Sequence, residues 1–106
     1  MQQIEVLQAV FEPWSYLADW QQQHVNLGQS GASAVFVGFM RDFNDGDTVQ
    51  AMVLEHYPAM TQQQLTQITQ QAAKTWQLNQ VLLVHRVGLI QPTEPIVLVA
   101  VYSAHR

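Results

Sequence analysis

Three places along this chain set chemically capable side chains next to one another. The first is Phe36-Val37-Gly38-Phe39-Met40-Arg41-Asp42, an apolar run that delivers a small residue and then an arginine. A guanidinium presents several N–H donors in a fixed fork, which suits carboxylates and phosphates. The plainer alternative is a hairpin-base arginine paired with Asp42 or Glu55. Composition alone favours that alternative, because surface ion pairs are common. The second place is Leu54-Glu55-His56-Tyr57-Pro58, which could hold a general base or a ligand. Strand alternation sends Glu55 and Tyr57 to one face and His56 to the other, so they need not act together. Tyr57 then reads as a packed aromatic whose hydroxyl finds a partner. The third is a repeated pair, His85-Arg86 and His105-Arg106, each closing an apolar run. If those strands lie parallel, the four groups gather into a phosphate site with a proton donor active near neutral pH. If they are antiparallel, the pairs part to opposite ends of the sheet. His85-Arg86 is then structural, and His105-Arg106 stands alone as the candidate.

Several other chemistries are disfavoured. The four histidines are scattered without ligand spacing and the chain has no cysteine, so a metal site is not expected. Phosphate-binding glycine loops and a Gly-x-Ser-x-Gly nucleophile turn are missing as well. The net charge is −4 and Lys74 is the sole lysine, which is the wrong balance for nucleic acid. An RNA-binding domain would also need an aromatic-basic strand motif, which this chain lacks. No apolar run approaches the length of a membrane span, and no signal-like N-terminus is present. These features fit a cytoplasmic protein.

The elements that must position the clusters can be read from periodicity. Ile4 to Phe11 alternates as a first strand, and Pro13 opens a helix carrying Trp14, Leu17, Ala18 and Gln21. Asn26 to Gly31 is turn-rich. Ala32 to Met40 is a buried-type strand, and Thr48 to Tyr57 returns from an Asp42–Asp47 turn, so residues 32–57 predict a hairpin. Thr61 and Gln64 form a capping box, with Met60 and Leu65 as its staple. The helix that follows would bury Leu65, Ile68, Ala72 and Trp76 and turn its glutamines to water. Val81–Val87 and Ile96–Tyr102 are further strands, joined through Pro92-Thr93-Glu94-Pro95. Pro95 should stand at a strand start or on an edge. The order β-α-β-β-α-β-β predicts one α+β domain over residues 1–106, a mainly antiparallel sheet with both helices packed on one face. With 48% hydrophobic residues, a chain of 106 can bury a real core.

Gly31-Ala32, Phe36-Val37-Gly38, Arg41-Asp42 and Leu54-Glu55-His56-Tyr57-Pro58-Ala59-Met60 resemble the large, catalytic subunit of molybdopterin synthase, the MoaE family. Trp76, His85-Arg86-Val87-Gly88 and Ser103-Ala104-His105-Arg106 extend the likeness, in register from about Ile4 to Arg106. The resemblance implies an α/β hammerhead fold and a sulfurtransferase of molybdenum cofactor biosynthesis. Such enzymes add two sulfurs to cyclic pyranopterin monophosphate, forming the dithiolene of molybdopterin. The sulfur arrives as a thiocarboxylate on the C-terminal Gly-Gly of a small ubiquitin-like subunit. The large subunit is a homodimer with a small subunit at each end, together a heterotetramer, and no cofactor is expected. By motif, Phe36 and Arg41 would line the pocket, while His105 and Arg106 would reach in from the neighbouring protomer to bind the pterin and its phosphate. Glu55-His56-Tyr57 and His85-Arg86 are kept as fold or interface residues. The family's catalytic lysines follow the Ser-Ala-His-Arg motif, and the sequence stops at Arg106. The expectation is therefore a C-terminally incomplete domain. The alternative is a non-catalytic partner-binding or dimerisation module of the same family.

Overall fold

The computed structural model describes residues 2–44, 47–48, 51–54 and 58–106, without the side chains of 43, 44, 47, 48 and 58–60. Eight strands and two helices are present among these residues: β1 (Gln2–Leu7), α1 (Pro13–His24), β2 (Ala32–Phe39), β3 (Phe43–Asn44), β4 (Asp47–Thr48), β5 (Met52–Leu54), α2 (Pro58–Trp76), β6 (Leu78–Arg86), β7 (Gly88–Ile90) and β8 (Pro95–Ser103). Four strands form the main sheet in the order β1-β6-β8-β2. β1 runs parallel to β6, and the other two pairings are antiparallel. The α+β class and the mainly antiparallel sheet are as expected, and Pro95 opens β8, where its missing N–H costs least.

The core follows from alternation. Leu82 and Val84 of β6 and Leu98, Ala100 and Tyr102 of β8 pack with Leu17 and Trp20 of α1. Helix α1 starts at Pro13, and Glu12 caps it, its Oε2 accepting from Ser15 N–H at 2.6 Å. The face it buries is Pro13, Leu17 and Trp20, while Trp14 stays 57% exposed. Two polar bonds tie the helix to the sheet: Trp20 Nε1–H donates to Gln3 Oε1 at 2.9 Å, and the Tyr102 hydroxyl donates to Gln21 Oε1 at 2.8 Å.

The intervening residues Val81 and Leu83 point the other way and are also buried. The helix that contacts β1 and β6 is α2, which buries Thr69 and Ala73. It must therefore cover the face opposite α1, and the expectation of both helices on one face is corrected. Chain direction explains this. The β1-α1-β2 connection crosses the sheet one way, and the path from β2 through α2 to β6 returns the other way between parallel strands. Right-handed crossovers in opposite directions place their helices on opposite faces.

Three further expectations are revised. Strand β1 stops at Leu7 instead of Phe11, because Phe11 turns to pack against the core and Tyr16. Helix α2 begins at Pro58, whose fixed φ suits a first helical position, so Thr61 and Gln64 lie within the helix and do not cap it. Its sheet-facing stripe runs through Thr69 and Ala73, leaving Ile68 and Trp76 exposed. Burial of Thr69 is tolerated because its hydroxyl donates back to the carbonyls of Leu65 and Thr66, both at 3.0 Å. Finally, among the described residues β2 does not pair with the returning segment. Its partner is β8, an apolar run of matching length, whereas β5 pairs with β7 in a separate ribbon and β3 pairs with β4. Phe43↔Thr48 and Asn44↔Asp47 bracket the expected Asp45-Gly46 turn, which itself lies outside the described residues.

Candidate functional site

Strand β2 positions both halves of the predicted site. Phe36 sits at its middle, opposite Val99 of β8, which in turn lies beside Leu83 of β6 and then Ile4 of β1. That row belongs to the face α2 covers, but α2 packs chiefly on β1 and β6, and Phe36 remains 62% exposed. Its ring rests over Gly38. A Cβ on Gly38 would lie 3.4 Å from the Phe36 ring and 2.9 Å from Val97 Cγ1. The small residue in Phe36-Val37-Gly38 thus leaves room for the aromatic one.

Beyond the end of β2, Arg41 is exposed and lines a cavity of about 330 Å³ with Phe39, Met40, Asp42 and Thr93. Phe39 and Thr93 also line a neighbouring, largely apolar cavity of about 350 Å³ whose walls include Val10, Phe11, Trp14 and Pro95. A guanidinium set among apolar walls can clamp an anion more strongly than one in open water. Backbone bonds fix this corner: Met40 N–H donates to Glu94 O at 2.9 Å, and Thr93 N–H donates to Met40 O at 2.8 Å. Thr93 and Glu94 were missed as site-forming residues. Nothing in Pro92-Thr93-Glu94-Pro95 beyond turn chemistry signalled that this turn would fold against Met40.

His105 and Arg106 stand at the other end of the same strand. Ala32 pairs with Ser103, so the residues after β8 run past Gly31, with His105 N–H donating to Ser103 Oγ at 3.1 Å. Both side chains are exposed. A strand advances about 3.3 Å per residue, so residues 31 and 41 are separated by roughly 30 Å. One copy of the chain therefore does not bring Arg41 together with His105 and Arg106.

The second His-Arg pair takes the antiparallel outcome. His85 pairs with Val97 near the start of β8, far from Ser103. Arg86 is buried at 3% exposure and His85 Nδ1 lies 2.7 Å from Arg86 O, both internal uses. Glu55, His56 and Tyr57 lie outside the described residues. Among the described residues, no cluster of three or more His, Asp or Glu could hold a metal, and no helix is long and apolar enough to cross a membrane.

Fold and site together describe an α+β domain that presents arginines at both ends of one edge strand, an arrangement suited to anionic ligands. The chain belongs to the MoaE protein family, whose model matches residues 11–106. It is 46% identical over 103 residues to the molybdopterin synthase catalytic subunit of Pseudomonas aeruginosa, covering 97% of this chain and 67% of that protein. Among solved structures, it matches the molybdopterin biosynthesis MoaE protein of Burkholderia ambifaria with a TM-score of 0.82 and 37% identity, over 100% of this chain and 67% of that one. A Helicobacter pylori structure, described as a complex of subunits 1 and 2 of molybdopterin-converting factor, shares the fold at a TM-score of 0.76 and 19% identity, over 97% of this chain and 66% of that one. The chain spans between 51% and 67% of the length of the first curated relatives that it matches.

Proposed function

We propose that this chain supplies part of the sulfur-transfer site of a molybdopterin synthase. In this reading, the thiocarboxylate tail of a small ubiquitin-like subunit enters the cavity at Arg41. The Arg41 fork holds the anion beside the apolar wall of Phe39, and Phe36, exposed nearer the middle of β2, meets the incoming tail. His105 and Arg106 of a second copy bind the phosphate of cyclic pyranopterin monophosphate, and the histidine serves as a proton donor. By family resemblance, the principal catalytic groups are lysines that follow the Ser-Ala-His-Arg motif. The functional unit is a homodimer carrying two small subunits, and the cysteine-free composition supports a cytoplasmic setting.

The observation that carries this reading is the placement of Arg41 and Arg106 at opposite ends of β2 in a member of this family. A ligand that needs both arginines must draw them from two copies. The test is subunit complementation with the chain carried on through the segment that follows in its relatives. That protein, given thiocarboxylated partner and precursor, forms molybdopterin, while Arg41→Ala and Arg106→Ala each lose most activity. Mixing and reassorting the two variants makes half of the dimers mixed, each with one intact site, so about one quarter of normal activity returns. No product from the unsubstituted protein would overturn the function, and no recovery on mixing would overturn the shared site.

A further inference from the structure

The one deeply buried cation of the described chain has a role not yet accounted for. Arg86 ends β6 at 3% exposure and spends its donors unevenly. Nη2 donates to Leu89 O at 2.8 Å, Nη1 stands 3.5 Å from Glu94 Oε1, and neither Nε nor Nη1 makes a hydrogen bond among the described residues. Glu94 is the one carboxylate in range of this buried guanidinium among the described residues, and removing either partner of such a pair strands the other. Glu94 Oε1 also accepts from Gln91 N–H at 2.7 Å, closing the turn from Gln91 to Glu94.

That turn is strained. Thr93 has φ +74°, a left-handed conformation that a β-branched residue rarely adopts. Strain of this kind persists only where the surroundings over-determine it, and it concentrates at ligand sites. The surroundings here are the Glu94 carboxylate on one side and the Met40 backbone on the other. Met40 is bonded through both its N–H and its carbonyl to Glu94 and Thr93. Arg41 is the next residue, and Thr93 faces the same cavity.

We propose that Arg86 and Glu94 are positioning residues for the Arg41 cavity. Their pair, buried on the arginine side and partly open at Glu94, locks the Gln91–Glu94 turn with Thr93 in its strained conformation, and the turn clasps Met40 and so aims Arg41. The link to turnover rests on the sulfur-donor role given above to Arg41, while the lock itself stands on geometry alone. Glu94→Gln tests it gently, since the amide oxygen can still accept from Gln91 N–H while the charge facing Arg86 is gone. By amide hydrogen exchange, Met40 and Thr93 should exchange at least about tenfold faster in this variant, while Val84 and Ala100 at the sheet centre keep their rates. Unchanged Met40 and Thr93, or a uniform acceleration of all four, would overturn the inference. In the chain extended as above, Glu94→Gln should raise KM for the thiocarboxylated subunit roughly fivefold, and should add nothing on an Arg41→Ala background. An equal increase on both backgrounds would refute action through Arg41. If Arg41→Ala leaves KM unchanged, the donor role of Arg41 fails instead, and the exchange rates alone decide whether the lock exists.

Discussion

Gly31→Ala probes the place where the end of β8 crosses the start of β2. A Cβ added to Gly31 would lie 2.3 Å from Ala104 O, 3.0 Å from Ala104 C and 3.4 Å from Arg106 Cγ. The first two neighbours are backbone, so no side-chain rotation relieves them. Opening the contact to van der Waals distance needs about 1 Å of movement at the same point where Gly31 N–H donates to Ser103 O at 2.7 Å. Losing that bond costs about 0.5–1.5 kcal/mol, and overpacking costs about 1–3 kcal/mol where the backbone cannot yield. Alanine returns about 0.4–1 kcal/mol by restricting the unfolded chain. The expected net loss is about 0.5–4 kcal/mol, centred on about 2 kcal/mol, or roughly 10 °C in Tm at the centre for a domain of this size. Thermal unfolding followed by circular dichroism measures it. The control is Gly28→Ala, where the nearest atom to a new Cβ is the side-chain oxygen of Asn26 at 3.2 Å. That variant should stay within about 0.5 kcal/mol of the parent. If Gly31→Ala proves as stable as the parent, or matches Gly28→Ala, the close approach that places His105 and Arg106 is not as described.

Two further predictions concern helix ends. Gln77 follows α2 at φ +54°, the left-handed position that terminates many helices, so Gln77→Gly should stabilise the protein by about 0.5–1 kcal/mol in urea unfolding. The Glu12 carboxyl is held below the usual carboxylate range, chiefly by the hydrogen bond it accepts from Ser15 N–H. A lowered folded pKa contributes stability above the ordinary pKa of about 4.5, and that contribution fades as pH falls through the folded value. Glu12→Gln should therefore unfold at lower temperature than the parent at neutral pH, and the gap should close on acidification. A gap that stays constant with pH would refute the cap's charge dependence.

How much was legible in the sequence differed from element to element. Ala32–Met40 and Ile96–Tyr102 declared themselves as strands because continuous apolar β-branched runs have few other uses, and Pro13 marked the start of α1. Pairing was not legible, because an apolar run carries no label for its partner. The short path from β2 to Thr48–Tyr57 suggested a hairpin, yet β8 offers β2 a longer ladder. Helix α2 misled for a different reason. Hydrophobicity chose Ile68 and Trp76 for the buried stripe, but the helix turns its small residues to the sheet and buries Thr69, whose hydroxyl is satisfied within the helix. At the candidate site, charge was what singled out Arg41 and Arg106 in the sequence. Thr93 and Glu94 were not legible, because their part depends on a turn folding back onto Met40.

The two His-Arg pairs show why residue type alone could not tell a buried arginine from an exposed one. Both stand at the end of an apolar strand, yet Arg86 is 3% exposed while Arg106 is open to solvent. Sheet position makes the difference. Strand β6 is flanked by β1 and β8, and its end is bounded by β7 and the Gln91–Glu94 turn, so its guanidinium must find partners within the protein. Strand β8 runs the opposite way, and its end passes the glycine at the start of β2. The antiparallel register thus buries Arg86 beside the Gln91–Glu94 turn and leaves His105 and Arg106 exposed at the opposite end of the sheet. Because β2 then separates the two exposed arginines by roughly 30 Å, the proposed site, which uses both, would have to be completed between copies. Shortening that distance within one copy would require breaking the β2–β8 ladder.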